Sequence, residues 1–571
     1  MWLAATGTRR AVLACMTALL GFTMLVEPAA GGTALTGGGL NSPGYYQNVP
    51  RPHCGAGSNP ETGFQGEVPL ANRAAGFQGF SCNLQLIGQS QGEGASWQNA
   101  WYGTCDYYDT ADNQGQGPTH VGAQQHLGTV VLDVANPSHP TPTAYLASPA
   151  MLHPWEDLKV NQKRGLLAGQ LESGTPFDVY SVKNDCAHPV LLASVPMPTT
   201  AQGHEGEWEP DGRTYWADSA GTSIHAIDVS DPTHPKYMFS WTAPDSASTH
   251  GMSFSTDGTR GYFVTTSITP AALASHPNGF VIADISDIQF RRPHPQVREV
   301  SHVYWSDGSE AQGTIPVTIG SRKYLMVWDE LGSAGLAMQS GYAYSCASGL
   351  LPYGIPRIYD ITDERHPVLV SKLTLQTNQP ANCATTIPEC SGQVIFCYDS
   401  HYCEVDTRVN TTALACGFFN SGIRVFDVRD PYHPKEIAYF NPPAQLTKDP
   451  QLWGSEHAHG DIGGSVINAD WCTSQVRFYT AADGSHELWA QCQDNGMMVL
   501  KFTNGAYPLP ASGTTPIALR DNPASVSVAA RAAGSSPEGS SLPQTGGSVQ
   551  LAIWALAAAT AGLAVFRVCP R

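Results

Sequence analysis

From His204 onward the chain alternates apolar and polar positions in short bursts divided by turn residues. HEGEWEP (residues 204–210) runs into Pro210-Asp211-Gly212; RTYWADS and SIHAIDV follow, and KYMFSW closes the unit. Asp-Gly between alternating segments is a hairpin signal, and period-two alternation over a handful of residues predicts half-buried strands. The next unit repeats the plan with HGMSFS, a turn at Asp257-Gly258, RGYFVTT, GFVIADIS and a further strand near 297–303. Each unit therefore predicts four short strands in about forty residues. No helical period is sustained outside the chain ends.

The unit recurs. Clear copies of its third strand and following turn are VVLDVANPSHP (130–140), IHAIDVSDPTHP (224–235), RIYDITDERHP (357–367) and IRVFDVRDPYHP (423–434). Weaker copies begin at Phe177, Phe280 and Gly496. One such unit cannot bury its own apolar face and must stack on the next. Seven four-stranded units predict an all-β fold, a seven-bladed β-propeller over residues 81–507. The spacing lengthens towards the C-terminus, which places the longest loops in the later blades.

The ends read differently. Arg9-Arg10, an apolar run from Ala11 to Val26 and small residues after it predict a signal peptide over 1–30. Residues 31–80 form an N-terminal extension. Residues 508–541 are poor in large apolar side chains and predict a flexible stalk. Leu542-Pro543-Gln544-Thr545-Gly546, a second apolar run from Leu551 to Phe566 and the basic Arg567 and Arg571 make up residues 542–571. This tail resembles the three-part sorting signal of Gram-positive wall proteins. The resemblance implies sortase cleavage between Thr545 and Gly546, covalent linkage of Thr545 to peptidoglycan, and only a transient stay of the tail in the membrane.

The formal charge is -18 with 30 Lys and Arg, and no basic cluster is present. Nucleic acid is excluded as a partner, because phosphate neutralisation needs a positive stripe. Setting aside Cys15 and Cys569 in the two ends leaves twelve of the 14 cysteines, an even number that predicts disulfides in an exported chain. Cys82 with Cys105, Cys403 with Cys416, and Cys472 with Cys492 fall on strands preceding the Asp-Val strand and are expected as staples within blades. Cys54, Cys186, Cys346, Cys383, Cys390 and Cys397 have no assigned partner at this level.

GIRVFDVRDPYHPKEIAYFNPP, HYCEVDT with ACGFFNSG behind it, and WCTSQVRF with AQCQDNGMMVLKF resemble the LVIVD-repeat β-propeller proteins of bacterial surfaces. The resemblance spans roughly residues 81–504. It implies the fold and no single activity.

Six of the 19 histidines are turn punctuation: His139, His188, His234, His294, His366 and His433 all precede proline at the end of a repeat. Asp133, Asp228, Asp284, Asp360 and Asp427 share one repeat position and suit turn hydrogen bonding. His204, His250 and His401 differ, because each opens the first strand of a blade, the strand that lines the axis. Trp155-Glu156, Glu310 and Trp471 hold equivalent positions. With Glu205 and Glu404 nearby, the three histidines are candidate ligands for copper or zinc. His457 and His459 form a second, weaker pair. Gly88-Gln89-Ser90-Gln91-Gly92 spells a nucleophile motif but lacks the following helix that such a serine requires. The sequence thus favours a wall-displayed module that binds or scaffolds an extracellular ligand. The alternative is a copper- or zinc-dependent extracellular enzyme with its site at the axis, by analogy with the copper-dependent thiol oxidation of selenium-binding-type propellers, which this chain resembles only in general architecture.

Overall fold

A computed structural model describes residues 46–510, apart from 111–125, 127, 220, 222, 245–247, 268–277, 336–337, 392–395 and 446–468. The predicted signal peptide, residues 511–541 of the predicted stalk, the predicted sorting tail and the His457/His459 pair lie outside the described residues. The rest is all-β, with seven antiparallel sheets in a ring.

Blade I contains Asn99–Tyr102, Cys105–Tyr108, Thr129–Asp133 and Thr141–Leu146. Blade II contains Lys159–Asn161, Leu166–Gln170, Pro176–Ser181 and Val190–Pro196. Blade III runs Gly206–Trp208, Thr214–Asp218, Ser223–Asp228 and Lys236–Thr242, and blade IV runs Ser248–Phe254, Arg260–Thr266, Asn278–Asp284 and Arg298–Trp305. Blade V is Ser309–Ile319, Arg322–Leu331, Pro356–Asp360 and Val368–Lys372; blade VI is Ser400–Val405, Ala413–Phe418, Gly422–Asp427 and Lys435–Asn441.

Blade VII shows how the ring closes. Arg477–Thr480, His486–Cys492 and Gly496–Phe502 supply three strands, and the fourth is Leu84–Ser90 from the start of the domain. Just before it, Phe80–Cys82 adds a fifth strand to the outer edge of blade VI. In every blade the pairing of third and fourth strands carries one register shift, at Val131/Leu132, Leu191/Ala193, Ala226/Ile227, Ile282/Ala283, Ile358/Tyr359 and Val425/Phe426 in blades I to VI. In blade VII the shift falls at Leu86/Gly88. A bulge bends and twists its strand, so the N-terminal strand reproduces even the local deformation of the outer strand it replaces.

Apolar clusters fill the gaps between neighbouring blades. Leu167, Val182 and Tyr107 join blades I and II; Phe177, Val179 and Tyr215 join II and III; Trp216, Phe254 and Phe263 join III and IV. The series continues through Phe280 and Tyr359, Trp328 and Phe426, and Val425 and Leu488, and ends with Val130 against Trp489 between blades I and VII. Each blade buries both faces only because it has two neighbours, the requirement the repeat predicts.

The recurrent aspartates serve turns. Oδ1 of Asp133, Asp228, Asp284, Asp360 and Asp427 each accepts the backbone N–H two residues on, at 2.9–3.1 Å. His188, His234, His366 and His433 each turn Nδ1 towards an aspartate three residues earlier, at 2.8–3.0 Å, on exposed loops.

Cys403–Cys416 and Cys472–Cys492 are bonded within blades VI and VII. The expected Cys82–Cys105 bond is not formed: Cys82 pairs with Cys54, and Cys105 with Cys186. The reason is the closure. Cys82 lies on the edge of blade VI, with blade VII between it and blade I, whereas Cys186 lies in the last loop of the adjacent blade II. Cys346–Cys383 and Cys390–Cys397 staple insertions around blade V that hold two short helices, Met338–Ala347 and Cys383–Glu389. Helices this short are marginal alone, which is why no helical period announces them. Six disulfides indicate an oxidising, extracytoplasmic environment. No helix among the described residues is long and apolar enough to cross a membrane.

Candidate metal centre at the propeller axis

The first strand of each blade delivers its leading residues to the axis, and local irregularities aim them. Register shifts at Thr249/Met252, Ala311/Gly313 and Ser400/Cys403 mark the starts of the first strands of blades IV, V and VI, beside His250, Gln312 and His401. Such bulges re-aim side chains and gather next to functional sites. Trp155 and Glu310 adopt φ of 53° and 49°. A bulky residue in that region is strained, and strain of this kind is held in place by the surrounding structure.

His204 Nε2 and His250 Nε2 approach to 3.1 Å, and Glu156 Oε2 lies 3.6 and 3.5 Å from them. The point equidistant from the three atoms is about 2.0 Å from each, the length of a zinc–imidazole or zinc–carboxylate bond. The remaining imidazole nitrogens are fixed from behind. His204 Nδ1 donates to Glu172 Oε2 at 3.0 Å, and His250 Nδ1 to Glu205 Oε2 at 2.6 Å. Carboxylates on the far nitrogen of a metal-binding histidine set its tautomer and raise its basicity.

His401 presents Nε2 as well, with Nδ1 donating to the Thr473 carbonyl at 2.7 Å. Its Nε2 sits 3.2 Å from Glu156 Oε1 and 3.0 Å from Glu330 Oε1. The three histidines therefore do not share one ligand set. His204 and His250 group with Glu156, His401 groups with Glu156 and Glu330, and a third group joins His250, Glu310 and Glu330. Glu404 belongs to none of these groups; its carboxylate accepts the Val405 N–H further along the strand.

Trp97, Phe419, Phe396 and Trp471 form a buried aromatic wall against His401, with Trp97 5.1 Å and Phe419 5.4 Å from its ring. Trp155 stands 5.5 Å from Trp97 and 6.2 Å from His204. Glu172, Glu330 and Gln312 escape a reading of first-strand starts: the two glutamates end or follow second strands, and Gln312 is displaced by the bulge. Access is narrow. The side chains of His401, Glu156, His250, Glu205 and Glu330 are at most 7% exposed, whereas His204 and Glu172 reach 15% and 21%. Solvent therefore enters from the His204 side.

The charges are interlocked. Burial opposes ionisation of Glu156, yet the hydrogen bond from His401 and the charges of His250 and His401 hold it down, to about 2. Burial also opposes protonation of the imidazoles, but Glu205 and Glu156 raise His250 to about 9, and Glu330 and Glu156 raise His401 to about 10. Burial combined with Glu330 pushes Glu310 up to about 8.

A metal ion must displace the imidazole protons, since its ligands bind deprotonated. Raised histidine pKa values make a stabilising contribution that is complete below the unfolded value of about 6.5 and is lost as pH rises through about 9 to 10. Metal-free protein should lose stability over that window. The rise in melting temperature on adding zinc should widen over the same window, and a zinc effect that stays constant from pH 6 to 10 would disconnect the ion from these histidines.

A family model described as the LVIVD repeat matches residues 123–143 and 214–243. No curated protein matches the chain. Among solved structures, hydrazine synthase of Kuenenia stuttgartiensis aligns at 11% identity over 72% of this chain and 97% of its own, with a TM-score of 0.42. A putative 6-phosphogluconolactonase from Bacteroides uniformis aligns at 12% identity over 72% and 95%, with a TM-score of 0.43. Likenesses of this degree carry no argument about chemistry.

Proposed function

We propose that this LVIVD-repeat propeller is an exported, wall-anchored, metal-dependent enzyme whose site lies at the axis and takes a small substrate. One observation carries the reading: two imidazole nitrogens and a carboxylate oxygen converge at metal-bond distance, with both imidazoles held from behind by carboxylates. A water-filled channel mouth has no need of that second layer. Two histidines and one glutamate leave a fourth position open, the arrangement of catalytic rather than structural zinc. The ion would supply Lewis-acid activation of water or of a bound carbonyl oxygen. Every described cysteine is in a disulfide, so the donors are nitrogen and oxygen, a set that suits zinc or copper(II) and offers copper(I) no thiolate.

The narrow, buried approach favours a small molecule over a macromolecular ligand. A cleft lined by Trp305, Asp307, Arg357 and Lys372 is the strongest support for a pure binding module. Its charges are already engaged, Lys372 with Asp307 at 2.6 Å and Arg357 with Asp329 and Asp307. Display on the wall rests on the Leu542–Gly546 motif and its apolar tail.

One preparation tests both halves. Digesting washed walls with a peptidoglycan hydrolase should release the protein with stoichiometric zinc or copper. Alanines at 542–546 should move it to the membrane or medium without changing its metal content. Metal-free protein from the wall would overturn the enzyme reading, and unchanged wall attachment of the variant would overturn the anchoring.

A further inference from the structure

We propose that the axis holds two divalent cations, bridged by Glu156. The inference rests on the metal-centre reading above and extends it. The two oxygens of Glu156 face different partners: Oε2 lies against His204 and His250, and Oε1 lies 3.2 Å from His401 Nε2. The second set is completed by Glu330 Oε1, 3.0 Å from the same nitrogen, and its three donor atoms lie within 4.8 Å of one another. A carboxylate that gives one oxygen to each ion holds a pair about 3.5–4 Å apart, the spacing of two-metal catalytic sites.

Unpaired atoms point the same way. Glu156 Oε2, Glu310 Oε2 and Gln312 Oε1 are buried and accept no hydrogen bond, in a region where an unmet acceptor is costly. A single cation on His204, His250 and Glu156 would leave Glu310 and Glu330 close together, with His401 beside Glu330 alone at 3.0 Å. Two divalent cations offset the carboxylates of Glu156, Glu310 and Glu330, with Glu172 and Glu205 behind the imidazoles, more fully than one does. The aromatic wall behind His401 shields the second position from bulk water, consistent with a site whose open face is on the His204 side.

The test uses the full chain, stripped with a chelator and titrated with Co(II), read by metal analysis and electron paramagnetic resonance. Two equivalents should bind, the first giving a high-spin signal that the second weakens through magnetic coupling. Glu330→Gln and His401→Ala should each keep the first equivalent and lose the second. His204→Ala should impair the first. A single equivalent in the wild-type protein would overturn the bridged pair and leave the one-ion site standing, whereas none would overturn both. Two uncoupled equivalents would also overturn it, because ions that share Glu156 cannot be magnetically independent.

Discussion

Glutamine at position 156 should lower zinc affinity by more than about 100-fold. The substitution keeps the volume of the side chain and removes its charge. Loss of an outer partner of a metal-binding histidine typically costs 10–100-fold, and Glu156 stands in the inner layer, touching all three imidazoles. Glu205→Gln, which alters only the hydrogen bond to His250 Nδ1, should fall within that smaller range. Competition against a chromogenic chelator at pH 8 measures both, and far-ultraviolet circular dichroism verifies the fold. Equal affinity in Glu156→Gln and wild-type protein would remove the carboxylate from the centre.

The largest stability loss is expected elsewhere, at Arg424→Met. Arg424 is fully buried on the third strand of blade VI. Its Nη1 contacts Glu436 Oε1 at 3.0 Å, Nη2 contacts Glu61, Nε donates to the Ser421 carbonyl, and the guanidinium lies 4.6 Å from the Tyr439 ring centroid. Removing one member of a buried ion pair strands the other charge, at a cost of about 3–5 kcal/mol. Glu61 belongs to the N-terminal extension, so the change also loosens that segment from the ring. Arg424→Met/Glu436→Leu should recover part of the loss, because an apolar replacement no longer leaves Glu436 alone. Urea denaturation decides the matter, and an unchanged midpoint in the single variant would mean that the buried cluster contributes nothing.

The propeller was legible because its signal is repeated: alternation, Asp-Gly turns and His-Pro stops recur in step with the blades, and strands fall where they predict in blades III and IV. His204, His250 and His401 stood out for the same reason, since each opens a first strand. Periodicity is silent about what lies across the axis. Glu330 and Glu172 reach the centre from the ends of second strands, where no repeat position singles them out, and the division of the histidines around Glu156 depends on distances between blades. The partner of Cys82 was hidden by topology. A strand pattern states that a segment pairs, not which edge receives it, and the edge here belongs to residues more than 350 positions away.

Chain closure also sets an order of events. Leu84–Ser90 is made early, and its partner Gly496–Phe502 is among the last strands made. At ribosomal speeds of about 5–20 residues per second the wait is roughly 20–80 s. Throughout it Leu84, Leu86 and Ile87 lie on a strand with an unpaired edge, the kind of edge that invites aggregation. Residues 542–546 follow the closing strand in the chain. A molecule whose synthesis has reached residues 542–546 therefore already contains both halves of the seam, and a product cut short before Gly496 lacks the strand that closes the ring.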